Sequence, residues 1–393
     1  LNLIMPFIMA LSALGFMMGT GGSAIVAKTL GEGKKKKANE YFSLLVYVTI
    51  VGGILFAILG IALTKSVSAA LGATGELLDN CILYGRIIFL SMPAFMLQNV
   101  FQCFFVTAER PKLGLTVIVL AGVTNMILDF LFIAVFGWGL AGAAFATVCG
   151  ECVGGLLPLV YFGRKNSSTF RLGKTKLYWN ILGKTCTNGS SELMTNLSSS
   201  IVNTLFNFQL MHFAGEDGVA AYGTLMYVNF IFVAIFLGYS IGSAPIVSYH
   251  YGARNSDELK NLLTKSLKMI GVWGVALFAL AQLIASPLAR VFVGYDPDLF
   301  DLTRHGFRIF CVAFLINGFN IYGSSFFTAL NNGLLSALIS FLRTLVFQIT
   351  AVLLLPMVLG IDGIWGAVFV AEIFTLCVTV ICLVRKRKQY HYF

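Results

Sequence analysis

Charge is what this chain most lacks. Asp, Glu, Lys and Arg together make up 11% of its 393 residues, against about 25% in an average soluble domain. Histidine is nearly absent: the four copies, at 212, 250, 305 and 391, are scattered, and no H-E-x-x-H or D-D-x-x-D occurs. That excludes the common metal-dependent and diphosphate-handling membrane enzymes. Cys149 and Cys152 form a lone C-x-x-C with no second pair and no histidine cluster, so a structural zinc site is excluded too. The eight cysteines fall almost entirely inside apolar runs, where they read as small buried side chains. Alternating ten-residue strands are missing, which removes the transmembrane barrel.

Long apolar runs are what the sequence has in their place. Hydrophobic residues make up 58% and the mean hydropathy is +0.86. A helix needs about 20 apolar residues to cross a bilayer, and eleven candidate spans can be read, over 2–27, 41–63, 80–107, 113–136, 139–162, 188–213, 222–248, 264–286, 304–329, 334–357 and 363–384. The fold class is therefore all-α integral membrane, because only a helix satisfies its own backbone in lipid.

Alternate loops carry the cations. Lys28 and Lys34 to Lys37, Arg110 and Lys112, the stretch Arg164 to Lys184, Arg254 to Lys268, and the tail Arg385 to Lys388 hold 21 of the 27 basic residues. The other loops carry Glu76, Asp79, Glu216, Asp217, Asp296, Asp298, Asp301 and Asp362. The positive-inside rule places the basic loops and the tail in the cytoplasm of a multi-pass cell-membrane protein. The net charge of +10 is then a topology signal, and the Lys34–Lys37 run a solvated loop beside anionic lipid rather than a nucleic-acid surface.

The chain repeats itself. A shift of 221 lays Ile25, Val26 and Gly31 on Ile246, Val247 and Gly252, Gly85 on Gly306, and F-V-T-A (105–108) on F-F-T-A (326–329). A shift of 224 lays G-L-A-G-A-A (139–144) on G-I-W-G-A-V (363–368). Equal loop polarity in both halves makes this a parallel repeat, as in some secondary transporters. The expected organisation is an amino-terminal lobe over 1–163, a basic linker over 164–187, a second lobe over 188–385 and a basic tail over 386–393. The linker is too charged to span, and Trp179 and Leu182 suit a short interfacial helix. In the second half a span precedes the counterpart of residue 1, so the repeat also predicts a first helix upstream of Leu1 and a full fold of two six-helix lobes.

Polar residues inside the spans are the candidates for function, since an ionisable group in a membrane helix is costly and commonly marks an ion or substrate path. Asn125 and Asp129 are four apart and share a helix face. Asp129 lies eight residues before Gly137 and Thr147 eight after Gly139, so both sit about 12 Å below one turn. A carboxylate with amide and hydroxyl partners at one depth suits a proton or a sodium ion, the only metal considered. The alternative is a structural carboxylate satisfied by a neighbouring Arg or Ser. Glu192 reads two ways: as an acid facing a substrate cavity together with Asn196, or as a first-turn acid behind an Asn188 or Ser190 cap. Glu151 and Glu372 fall toward the basic ends of their spans. Arg343, mid-span, requires a partner that the sequence does not identify.

Several stretches carry a resemblance: G-T-G-G-S-A-I-V-A-K-T-L-G-E-G-K (19–34), E-R-P-K (109–112), N-M-I-L-D-F-L-F-I (125–133), G-L-A-G-A-A-F-A-T (139–147) and G-Y-S-I-G-S-A-P-I-V-S-Y-H-Y-G-A (238–253). Together they resemble the multidrug and toxic compound extrusion (MATE) family, in its bacterial branch. The resemblance implies two six-helix lobes forming a V around a cavity and an antiporter, not an enzyme. It would exchange H+ or Na+ for small, often cationic organic compounds, need no cofactor and work as a monomer in the lipid bilayer. It also implies that Asn125, Asp129 and Thr147 match the family's ion site and that Tyr84 matches a tyrosine of the same network. A further Asp of that site would lie on the helix expected upstream. The related-fold alternative, a flippase for lipid-linked saccharides, calls for a more cationic cavity than Arg86 and Arg343 supply.

Overall fold

The computed structural model describes residues 5–392. The start of the first expected span and the last tail residue lie outside the described residues. Helices α1 (Met5–Gly31), α2 (Lys35–Ala70), α3 (Gly75–Leu90), α4 (Met92–Thr107), α5 (Pro111–Asp129) and α6 (Gly139–Gly163) form the first half. Helices α7 (Trp179–Gly252), α8 (Ser256–Val293), α9 (Pro297–Phe310), α10 (Phe314–Ala329), α11 (Gly333–Phe341), α12 (Gln348–Leu359) and α13 (Ile361–Tyr390) form the rest. Nine stretches are long and apolar enough to cross a membrane among the described residues, and ten with the pair α3–α4, bent by 53° at Ser91. One of the nine, α7, has 74 residues, about 111 Å of helix, far more than a bilayer's thickness. It breaks at Gly215, whose φ of 62° and ψ of −150° only glycine adopts readily. Counting its two arms separately gives the eleven spans that the apolar runs predict.

The chain divides into two compact units, Leu1–Leu197 and Ser198–Phe393. The repeat is visible in their backbones. Gly33 (φ 78°) and Arg254 (φ 55°) are left-handed at the same turn at the 221 shift, and so, one residue out of that register, are Glu109 (φ 59°) and Asn331 (φ 58°). Each pair is closed by the same set of backbone hydrogen bonds from three successive amides. Helices α6 and α13 are related by a shift of 221 rather than 224. A β-carbon on Gly142 would lie 3.1 Å from Phe132 O, and one on Gly363 would lie 2.5 Å from Leu355 O. Backbone contact of this kind requires glycine at that point, whereas the G-L-A-G likeness is only composition.

The expected linker departs from its reading in two ways. It is extended only as far as Tyr178, and Trp179 and Leu182 open α7 instead of forming a separate interfacial helix. It is also pinned along its length. Phe170 is fully buried and stacks on Phe42 of α2 at 5.3 Å, and Phe42 also meets Phe104 and Phe162 at 5.0 and 5.1 Å. Arg171 N–H donates to Asn39 Oδ1 at 2.8 Å, and Tyr178 O–H to Glu40 Oε2 at 2.8 Å. That bond to the carboxylate holds the Tyr178 hydroxyl's ionisation above its usual range. The basic tail is likewise anchored: α13 runs to Tyr390, and Tyr392 O–H donates to Leu383 O at 2.8 Å.

The first arm of α7 packs into the first unit. β-carbons on Gly21 and Gly189 would collide with the carbonyl oxygens of Thr185 and Met17, so α1 and α7 meet backbone to backbone. Gly189→Leu is therefore expected to reduce the monodisperse yield in detergent several-fold. Gly223→Ala, where nothing lies within 4 Å, should leave it unchanged.

Candidate cation and substrate site

Helices α5 and α6 run antiparallel in close contact, and glycines set their register. Gly142 faces Phe132, and a β-carbon on Gly150 would lie 3.0 Å from both Ala121 O and Asn125 Cβ. Between those two crossings, Thr147 of α6 lies alongside the Asn125–Asp129 stretch of α5. All three are partly buried. The Thr147 hydroxyl donates its hydrogen to Ala143 O at 3.0 Å, leaving its oxygen lone pairs unused. Among the described residues no ion pair and no hydrogen bond engages Asp129 or Asn125. The structural alternative, a carboxylate satisfied by Arg or Ser, is therefore not what the fold contains. Tyr84, buried on α3, lies within electrostatic reach of both Glu151 and Asp129.

A π-helical turn, Phe130–Val135, starts directly after Asp129. Such turns widen the helix and recur at functional positions. The second unit has its own, Leu342–Phe347, but its chemistry differs. Shifted by 221, Asn125 and Asp129 become Val346 and Thr350, and these line an apolar cavity of about 440 Å³ with Phe347, Leu354 and Phe374. At these two positions the second unit carries neither the carboxylate nor the amide of the first.

Glu192 is not a first-turn acid. Because α7 begins at Trp179, Glu192 is mid-helix, thirteen residues in, and the capping reading falls. It lies one turn beyond Asn188, which donates to Gly21 O at 3.4 Å, and within electrostatic reach of Cys103 on α4. Asn196 Nδ2 donates to Glu192 O at 2.8 Å. Glu192 and Asn196 are thus neighbours on α7, and nothing places them beside Asp129.

Arg343 has its partners. Its Nε donates to Glu372 Oε1 at 2.8 Å and its Nη2 to Asn317 Oδ1. Asn320 Nδ2 donates to Glu372 Oε2 at 2.6 Å, and Thr379 O–H to Asn320 Oδ1 at 3.1 Å. Glu372 is 1% exposed, so this is a buried, hydrogen-bonded ion pair. Glu151 is also mid-helix, the thirteenth of 25 residues in α6, one turn from Thr147 on the same face. Its bond, with Ser91 at the α3–α4 bend, had no signal in the sequence beyond the presence of an acid in a span.

A helical membrane protein of two repeated units, with an unpaired carboxylate in one of them, has the architecture of a secondary transporter. The MatE family model matches residues 1–131 and 193–353, and the chain belongs to that family. It is 23% identical over 388 residues to the multidrug export protein MepA of Staphylococcus saprophyticus, covering 98% of this chain and 84% of that one. It is 22% identical over 378 residues to MepA of Staphylococcus haemolyticus, covering 96% and 82%. Among solved structures, an outward-facing multidrug resistance MATE family transporter of the MOP superfamily superposes with a TM-score of 0.94 at 22% identity, covering 100% of this chain and 88% of that one. A MATE structure in complex with MaL6 gives 0.92 at 22% identity, covering 99% and 87%.

Proposed function

We propose that this MATE family transporter is an antiporter that exports small, often cationic organic compounds in exchange for H+ or Na+. The observation that carries the reading is the face shared by α5 and α6. There Asp129 shares a helix turn with Asn125 beside the helix that carries Thr147, and among the described residues no ion pair neutralises the carboxylate. A bare carboxylate in a membrane helix is costly, and an exchangeable cation supplies the missing charge. Tyr84 closes the same cluster. Coupling follows if the ion and the organic compound favour different states of the protein. Glu192 and Asn196 are assigned to the substrate path, where an acid attracts a cationic compound. The names of the staphylococcal relatives, multidrug export proteins, support the substrate class. The basic loops and tail set the orientation, with the linker and carboxyl terminus cytoplasmic.

The test is efflux of ethidium from vesicles containing the purified protein, under an imposed sodium or proton gradient. Export driven by one gradient and not the other supports the reading and names the ion. Failure under both, across a panel of organic cations, would overturn it in favour of a lipid-linked substrate. Arg343 counts against that alternative, because Glu372 and Asn317 already occupy its guanidinium.

A further inference from the structure

The repeat sets two buried acids side by side for comparison. At the 221 shift that Gly142 and Gly363 define, Glu151 of α6 corresponds to Glu372 of α13. Glu372 is neutralised by Arg343. The position of Arg343 falls at Ala121 or Gly122 in the first unit, and neither has a charge to offer. Among the described residues no basic side chain pairs with Glu151.

What Glu151 has is Ser91, 2% exposed at the α3–α4 bend. Pro93, near the start of α4, removes an amide there and permits the break. The Ser91 oxygen lies 2.8 Å from Ile88 O and also within hydrogen-bond distance of Glu151 Oε2. A hydroxyl has one hydrogen and a peptide carbonyl can only accept. When Ser91 gives its hydrogen to Ile88 O, the second bond requires a hydrogen from the carboxyl.

The groups around Glu151 do not supply a positive charge instead. Tyr84 faces it from α3, and Asp129 on α5 lies within reach of the same tyrosine. Cys152 and Cys149 flank it on α6. From Met92 to Thr107, α4 has no charged side chain, and Gln98 is the polar residue it presses against α6, at Gly154. The π turn Phe130–Val135 is wholly apolar. Arg86 is exposed and two residues from Tyr84, on the far side of α3.

We propose that Glu151 is a proton-binding site of the first unit: protonated, it donates to Ser91 and holds the α3–α4 bend, and deprotonated it releases that bond. The step is a simple acid dissociation, with the proton leaving to water and the carboxylate left beside an oxygen whose hydrogen is already committed. An unpaired carboxylate at this depth is costly, so loss of the proton drives a change at the bend. The inference deepens the coupling reading, since Glu151 is one turn from Thr147, but its test reads the carboxyl and not export.

The test is infrared difference spectroscopy of the carboxylic-acid C=O band in the purified full chain, titrated with pH. Asp129→Asn, Glu151→Gln and Ser91→Ala are compared with wild type, and thermal melting confirms that each is folded. The expected result is a band at neutral pH in wild type and Asp129→Asn that disappears at alkaline pH, is lost in Glu151→Gln and moves in frequency in Ser91→Ala. A neutral-pH band unchanged in Glu151→Gln, or no such band in wild type, would overturn the proposal. Loss of the band on adding excess sodium chloride at constant pH would also overturn it, assigning the carboxylate to sodium.

Discussion

Asp129→Asn is expected to reduce gradient-driven export of ethidium to the level of protein-free vesicles, at least tenfold, or about 1.4 kcal/mol of coupling. The amide keeps the shape of the acid but removes the negative charge and turns one acceptor oxygen into a donor NH2. Nothing else in the cluster replaces it: Asn125 and Thr147 are neutral, and Tyr84 is a phenol. Thr147→Ala, which removes one neutral oxygen while leaving the charge, should weaken ion dependence less, raising the ion concentration needed for half-maximal export several-fold. Equal export by wild type and Asp129→Asn would make Asp129 structural and turn attention to Glu192. The measurement is the initial rate of dye efflux at matched protein density.

Arg343→Met is expected to destabilise the second unit by about 3–5 kcal/mol, because it strands a buried carboxylate. Glu372 is 1% exposed, and three protein groups are arranged around the pair: Asn317, Asn320 and Thr379. Adding Glu372→Gln to Arg343→Met should recover most of the loss, since a neutral amide can still meet Asn320. That non-additivity is the signature of a pair, not of two independent sites. Arg343→Lys should rescue only in part, because one ammonium does not reproduce a planar fork bonded to two acceptors. Thermal melting in detergent, followed by labelling of the buried Cys311 thiol, reads the three variants against wild type. If Arg343→Met melts with wild type, the pair contributes nothing to stability.

Much of this architecture was legible in one dimension. Apolar runs mark the spans because lipid leaves a helix no other partner for its backbone, although Lys35 to Lys37, read as part of a loop, form the first turn of α2. Helix rise and four-residue spacing are local rules, so the sequence alone puts Asp129 and Thr147 at one depth and Asn125 one turn away on the same face as Asp129. Of the two readings of Glu192, the first-turn acid falls where the local rule was weak: T-N-G-S-S-E looks like a helix start, but the helix had already begun at Trp179, drawn on by the packing of Gly189 against Met17. The packing of the linker was not legible, because its charges describe its solvent face while Phe170 inserts into the core from the other.

The sequence by itself determined the class of the protein, its spans, its repeat and the depth of its polar residues, because these follow from hydropathy, helix rise and loop charge along a single segment. Only the tertiary structure decided which acid is neutralised and which is not. Glu151 and Glu372 are the same residue type at equivalent positions, and they differ because Arg343 arrives from a separate helix to meet one, while Ser91 and a bend meet the other. Ion pairing and hydrogen bonding act over a few ångströms between segments far apart in the chain, and no spacing rule within either segment encodes them.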